Sequence, residues 1–339
     1  MKLILVTGAS GFIGSNLILH LLKSTQSRIR AFMLPSDPLR HPENGNPILA
    51  SNRLEIFLGD IRNKNDVSKA VSGASHVFHL AALSHLGTKR RKDHEEINIK
   101  GTQHVCDACL KHHVEGLVHT SSSEVLKRTN QNPTASENHL LEESNAPGPY
   151  TRSKIAAEKI VLEYAQKRHA VIVNPTMPVG PGDFLPSPVG FLIRMILQKK
   201  MGRFYYPTGF NMVDVRSLVK GHLQAMQDGL RGHRYILGGP NLSFEIFYKK
   251  VAANSHQARL GFKIPYGLAC LTSGLMEKLA LFTGNTPLGT LEGIRSVRIP
   301  FYMDTTKAKN ELGFSCHSID EALKIQVKQY TVGALLAAP

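Results

Sequence analysis

The sequence predicts an α/β fold in which a doubly wound parallel sheet is joined to a smaller C-terminal lobe. Three observations predict it. In the first half, short apolar runs alternate with amphipathic stretches at helical spacing, the pattern of a parallel sheet covered on both faces. A glycine turn, Thr7-Gly8-Ala9-Ser10-Gly11-Phe12-Ile13-Gly14, joins the first run to the first amphipathic stretch. After Asn174 the texture changes: Pro175, Pro178, Pro181, Pro186 and Pro188 follow in close order with Gly180 and Gly182. Such a segment suits neither regular helix nor central strand.

Each element has its own warrant. Leu3–Val6 predicts the first strand. Phe12–Leu22 predicts the first helix, because Phe12, Ile13, Leu17, Ile18, Leu21 and Leu22 recur on one face. Strands are expected at Arg28–Leu34, Leu54–Leu58, His76–Leu80, Gly116–Thr120 and Val171–Val173. Helices are expected at Val67–Val71, Lys100–His112 and Tyr150–Lys167, the last opening just after Pro149. Past the prolines, helices are expected at Phe191–Lys200 and Val215–Asp228. The expected domains are residues 1–174 for the sheet and 175–339 for the lobe, with about 211–237 returning to the sheet.

Composition narrows the function. With 42% hydrophobic and 20% charged residues the chain is not disordered. Four cysteines in 339 residues do not make a disulfide scaffold, so reduced thiols and a cytoplasmic setting are expected. The apolar run at the start breaks at the glycine turn, so a strand explains it better than a secretory signal. The apolar stretch Tyr266–Phe282 is interrupted by Glu277 and Lys278, too early for a spanning helix. A net charge of +15 suits an anionic partner. With no Trp and no stripe of aromatics among arginines, the sequence speaks against nucleic acid.

The glycine turn is the first chemical signal. Gly8 allows a tight turn, Gly11 lets a pyrophosphate approach the helix N-terminus, and Gly14 lets helix and sheet pack closely. Ser10, Phe12 and Ile13 supply the backbone between them. The G-x-x-G-x-x-G spacing resembles the extended short-chain dehydrogenase/reductases, the NAD-dependent epimerase/dehydratase family. Gly59-Asp60-Ile61-Arg62 resembles the loop where that family's Asp meets the adenine, and His79-Leu80-Ala81-Ala82 its strand end beside the cofactor. Asn98-Ile99-Lys100-Gly101-Thr102 resembles its N-x-x-G-T helix, and Tyr150-Thr151-Arg152-Ser153-Lys154 its Y-x-x-x-K pair. Asn174-Pro175 through Gly180-Pro181-Gly182 resembles the segment that closes over the nicotinamide. The resemblance implies a Rossmann sheet binding NAD(P), with the smaller lobe holding substrate.

Tyr150 and Lys154, four residues apart, project from one helix face. An ammonium nearby is expected to lower the phenol's pKa and let Tyr150 exchange a proton with a carbonyl or alcohol. By resemblance, Lys154 also holds the nicotinamide ribose, and Asn98 and a serine complete the catalytic set. Alignment on Val125 selects Ser122, with Ser123 the fallback. Glu124 has two readings: a base, as in nucleotide-sugar dehydratases, or a bystander, as in the 3β-hydroxysteroid dehydrogenase group. The second is preferred. Cys106 and Cys109 form Cys-x-x-Cys, but the helical context reads as packing, and no metal site is expected.

The cofactor reading favours NADP. No acid stands at Met33, Leu34 replaces the Arg of plant-type reductases, and Arg30, Ser36 and Arg40 offer positive or polar groups nearby. UDP-sugar epimerases resemble one another in an Asn where this chain has Met177, which cannot hydrogen-bond a nucleotide sugar. The later blocks resemble instead the dihydroflavonol-reductase-like proteins, including hopanoid-associated sugar epimerases. The resemblance therefore implies hydride transfer between nicotinamide and a ketone or secondary alcohol. The alternative is a sugar epimerase or dehydratase with tightly bound NAD. The run Lys89-Arg90-Arg91-Lys92 reads first as a solvated loop, and second as an attractor for an anionic ligand or an acidic membrane. A peripheral membrane contact and a homodimer stay open.

Overall fold

The computed structural model describes residues 2–84, 91–199, 204–253, 260–283 and 291–336. The chain opens with β1 (Leu3–Thr7), α1 (Phe12–Ser24), β2 (Arg28–Met33), β3 (Leu54–Leu58), α2 (Lys64–Val71) and β4 (His76–His79). Then come α3 (Arg91–His94), a π-helical turn (Glu95–Lys100), α4 (Gly101–Lys111) and β5 (Gly116–Thr120). After β6 (Thr134–Ala135), α5 (Pro149–Ala165) and β7 (Ala170–Pro175) complete the first half. These strands and β11 (Arg234–Leu237) form one seven-stranded sheet in the order β11-β7-β5-β4-β1-β2-β3, β6 excepted, with every pair parallel.

The second half starts with β8 (Met177–Val179), α6 (Pro188–Leu197), β9 (Phe204–Tyr205), β10 (Gly209–Asp214) and α7 (Val215–Asp228). Next are β11 (Arg234–Leu237), β12 (Asn241–Ser243), α8 (Phe244–Ala253), β13 (Phe262–Lys263) and α9 (Tyr266–Thr283). The chain ends with α10 (Leu291–Ser296), β14 (Tyr302–Met303), α11 (Thr306–Leu312) and α12 (Ile319–Leu336). A small sheet runs β12-β10-β8, and the pairs β13-β9 and β14-β6 stand apart.

Strands of the main sheet are buried on both faces, so their residues sort by parity. Ile4 and Val6 join α1 and α7 in one core, while Leu5 joins α2, α4 and α5 in another. A third core, with Phe210, Phe244, Phe247 and Phe301, fills the second half. Segment 215–237 belongs to the main sheet's layers: α7 packs on α1, and β11 pairs with β7. Strand β10, within the same expected stretch, instead centres the small sheet.

Several boundaries move, each for a local reason. The Asn63 side chain accepts N–H groups of Asn65 and Asp66, so α2 starts ahead of its apolar residues. Ser187 caps α6, which therefore starts at Pro188, where the missing N–H costs nothing. Pro178 does sit in a strand, but β8 is an edge strand. The run at 89–92 lies outside the described residues at Lys89 and Arg90, and of the Arg91 side chain nothing is described.

Candidate active site

The mouth of the sheet lies at its C-terminal strand ends, where β1 turns into α1. Gly8 has φ +68°, the left-handed region that favours glycine. A side chain there would also strike the Ala81 nitrogen, 2.8 Å from an ideal Cβ. At Gly14 a Cβ would run into the Gly8 carbonyl, so helix and turn pack backbone to backbone. Gly11 is exposed, and a Cβ there would meet only the Gly8 oxygen, at 3.2 Å. Helix α1 has no side-chain cap and no acid in its first turn. The N–H groups after Gly11 thus face the mouth with no carboxylate competing, a cradle fitted to a dinucleotide pyrophosphate.

A buried hydrogen-bond chain ties this cradle to the rest of the site. Thr7 Oγ1 accepts the N–H groups of Leu80 (3.2 Å) and Ala81 (3.1 Å). Its proton therefore goes to His79 Nδ1 at 2.8 Å, which fixes the ring as the Nε2–H tautomer. His79 Nε2 then donates to Thr102 Oγ1 (3.0 Å), which donates to the Asn98 carbonyl (2.6 Å). Burial pushes the His79 imidazole down to about 3, consistent with a neutral ring. The Asn98 side chain donates to Leu83 O (3.1 Å) and Ser153 Oγ (2.9 Å) and accepts Leu83 N–H (2.7 Å). It thereby pins the loop after β4 to α5. Asn98 was expected among the catalytic groups; in the structure its side chain is engaged with Leu83 and Ser153.

Strand β5 and helix α5 carry the reactive groups. Ser122 Oγ accepts the Glu124 N–H at 3.2 Å, and its hydroxyl acts on the Tyr150 phenol, favouring the ionised form. Ser123 Oγ turns the other way and donates to Pro175 O at 2.9 Å. The geometry thus separates the two serines. Lys154 is buried, and its ammonium donates to Thr120 O at 2.9 Å. Burial lowers Lys154 to about 8 and raises Tyr150 to about 12. The Ser122 hydrogen bond opposes the Tyr150 shift, while Glu124 and Glu292 add to it. The expected lowering of the phenol by the lysine is not seen: Lys154 is not among the groups that act on Tyr150, and desolvation dominates.

Charged side chains that the sequence reading did not join act on Tyr150: Glu124 and Glu292 both raise its phenol. Glu124 lies 4.0 Å from Arg128 Nη2, and the Arg128 guanidinium sits 4.1 Å from the Phe301 ring centroid. All three side chains are largely buried, as is Glu292 of α10, whose carboxylate fills the space beside Gly148. Only the four-residue interval between Glu124 and Arg128 was visible as a signal. Nothing in the sequence pairs Glu292 or Phe301 with Tyr150. Met177, half-buried on β8, packs against the third core.

Other expected residues fall differently. Asp60 sits at the rim after β3, its carboxylate held low by Arg62, which donates to both oxygens at 3.0 Å. Ile61 packs under Gly101. Ala82 lies half-buried in the loop after β4. Arg30 is a correction: it pairs with Leu5 in mid-sheet and donates to Ala70 O and Ser72 O at the end of α2. It also forms an ion pair with Glu55 at 3.1 Å, so it is committed to the sheet and not to the mouth. Ser36 bonds Asp37, an acid overlooked just past β2, and Arg40 bonds Gly45 O. Cys106 and Cys109 are buried in the core, their thiols raised by desolvation. Among the described residues no cluster of His, Cys, Asp or Glu is arranged to hold a metal.

A parallel doubly wound sheet with a glycine cradle at its mouth defines a dinucleotide-binding enzyme class. The chain belongs to the NAD dependent epimerase/dehydratase family, whose sequence model matches residues 4–238. It is 32% identical over 323 residues to the protein named "Putative dihydroflavonol 4-reductase" of Synechocystis sp., covering 94% of this chain and 91% of that one. It is 30% identical to sterol demethylase protein B of Methylococcus capsulatus, covering 91% and 92%. The crystal structure of gox2253 superposes with a TM-score of 0.83 at 28% identity, over 98% of this chain and 99% of that one. The chain is thus an NAD(P)-dependent enzyme of the extended short-chain dehydrogenase/reductase type.

Proposed function

We propose that the protein reduces a ketone to a secondary alcohol, or runs the reverse reaction, on a largely apolar small molecule. One observation supports this reading: Tyr150 and Lys154 stand four residues apart on α5, and Ser122, just past β5, acts on the Tyr150 phenol. Tyr150, raised to about 12, holds its proton at neutral pH and can donate it to the oxygen of a reacting carbonyl. Ser122 donates a second hydrogen bond to the same oxygen. Lys154 holds ribose hydroxyls, and residues 8–14 with Leu80 and Ala81 cradle the dinucleotide. The bound nicotinamide supplies or accepts the hydride. The second half of the chain serves as the substrate lobe, with Met177, Phe301 and Arg128 on its wall.

NADP(H) is our cofactor assignment. It rests on the missing acid at Met33 and on Ser36 and Arg40, with Asp37 opposing it and Arg30 no longer counted. A second reading, a sugar epimerase or dehydratase retaining NAD, is favoured by Glu124, whose charge acts on Tyr150. The test is a panel of carbonyl compounds followed at the absorbance of NADPH and of NADH, together with analysis of any co-purified nucleotide. Turnover of a ketone with exchangeable NADPH supports the first reading. Tightly retained NAD with no net nicotinamide oxidation overturns it in favour of the second.

A further inference from the structure

Helices that only pack on their own domain turn leucines inward and small or polar residues outward. Helix α9 does the reverse. Ala269, Ser273 and Ala280 are buried, while Leu268, Leu271, Leu275 and Leu279 are 46, 61, 52 and 61% exposed. Their spacing of three and four residues puts them in one stripe. Thr272 lies within that stripe, and its hydroxyl is spent on the helix backbone, on Leu268 O at 2.9 Å and Ala269 O at 3.1 Å. The stripe is therefore apolar along its length. Phe262 on β13, three residues before Pro265 and the start of α9, is 74% exposed. Stripes of this kind mark interaction sites.

Charge decides what covers it. Lys278 is exposed on the flank of the stripe, and Lys263, exposed beside Phe262, is ion-paired with Glu245 at 3.3 Å. Arg295 and Arg298 are exposed near the N-terminal end of α9, where the Arg298 guanidinium lies 5.1 Å from the Tyr266 ring centroid. The whole chain carries +15. Two such copies repel, whereas an anionic bilayer attracts each of them. No described helix is long and apolar enough to cross a membrane. An 18-residue helix with one apolar stripe fits an orientation along the surface, leucines among the acyl chains and cations among the headgroups.

We propose that the outer face of α9, extended by Phe262, docks the protein on anionic lipid membranes. The helix packs on α10, which carries Glu292 to the wall beside Gly148. Docking there sets the wall of the candidate pocket next to the lipid, without depending on which reaction the pocket performs.

Flotation with vesicles tests this on the full chain. Wild type should float with phosphatidylcholine vesicles containing a minority of phosphatidylglycerol, and far less with phosphatidylcholine alone. The triple variant Leu271→Gln, Leu275→Gln, Leu279→Gln should lose at least about tenfold in partitioning, with its thermal transition unchanged because the positions are exposed. Arg295→Glu with Arg298→Glu should lose binding at low salt, and the deficit should shrink as salt rises. Equal flotation of wild type and the triple variant overturns the proposal, as does equal binding to neutral and anionic vesicles. So does a wild-type dimer in solution that the triple variant dissolves, which would assign the face to a second copy.

Discussion

The candidate cofactor cradle and the proposed substrate wall are built in opposite ways. The cradle is backbone: Gly8, Gly11 and Gly14 fall within one turn, and the Ala81 segment closes over it. The wall is side chain: Glu124, Arg128, Glu292 and Phe301 come from segments up to 177 positions apart in the sequence. At Gly8 and Gly14 the cradle tolerates almost no substitution, because an added Cβ meets main-chain atoms that cannot yield. A side-chain wall can change residue by residue while the reaction stays the same.

The largest expected effect comes from the floor under both regions. His79, His119 and His222 are buried and neutral; desolvation lowers His79 to about 3, His222 to about 4, and His119 well below its usual value. Below pH 6.5 the unfolded chain takes up protons there that the folded chain refuses until about pH 4 or lower. Stability is therefore complete above 6.5 and is lost on acidification, by about 1.4 kcal/mol per pH unit for each histidine. Buried Asp183 and Glu137, both raised, oppose this in part. Thermal unfolding from pH 7 to 4.5 should show a steep fall in Tm; a flat profile would contradict a buried neutral floor.

Next in size is Tyr150→Phe, which should cut kcat by roughly 10²–10⁴ and leave cofactor affinity within a few-fold. Turnover kept within a factor of a few would remove Tyr150 from proton transfer. Within the cradle, Gly11→Val should weaken NADP(H) binding by about a hundredfold at near wild-type Tm, since its Cβ meets one carbonyl oxygen and otherwise faces the ligand side. Gly14→Ala should lower both Tm and binding, because its Cβ meets the Gly8 carbonyl. If fluorescence titration and melting curves show the two variants alike, the division between contact and packing glycines fails.

The smallest effect is expected at the wall. Glu292→Gln removes a negative charge that raises Tyr150, so the Tyr150 pKa should fall. The alkaline limb of the kcat/KM profile should move to lower pH, while Gly11→Val should leave that limb where it is. An unmoved limb in Glu292→Gln would detach α10 from the reacting group.

Legibility followed the same division. The glycine spacing, the Tyr150–Lys154 interval and the strand runs Leu54–Leu58 and Gly116–Thr120 were readable because each reflects local geometry. Arg30 misled because a cation near the end of β2 in sequence looks close to the mouth; the parallel register with β1 sets it at mid-strand, within reach of the α2 carbonyls. Ser122 and Ser123 could not be told apart by type, since both are hydroxyls at one strand end. Only the turn Ser123–Val125 separates them: Ser122 caps it, and Ser123 is spent on the Pro175 carbonyl.

The sequence by itself determined the fold class, the cradle and the family, because periodicity and glycine spacing are properties of a continuous backbone. Tertiary structure alone decided the surroundings of Tyr150, the hydrogen bonds of Asn98 and the meeting of Arg128 with Glu124 and Phe301. Those depend on desolvation and on through-space charge, which act between atoms brought together by packing and leave no periodic trace along the chain.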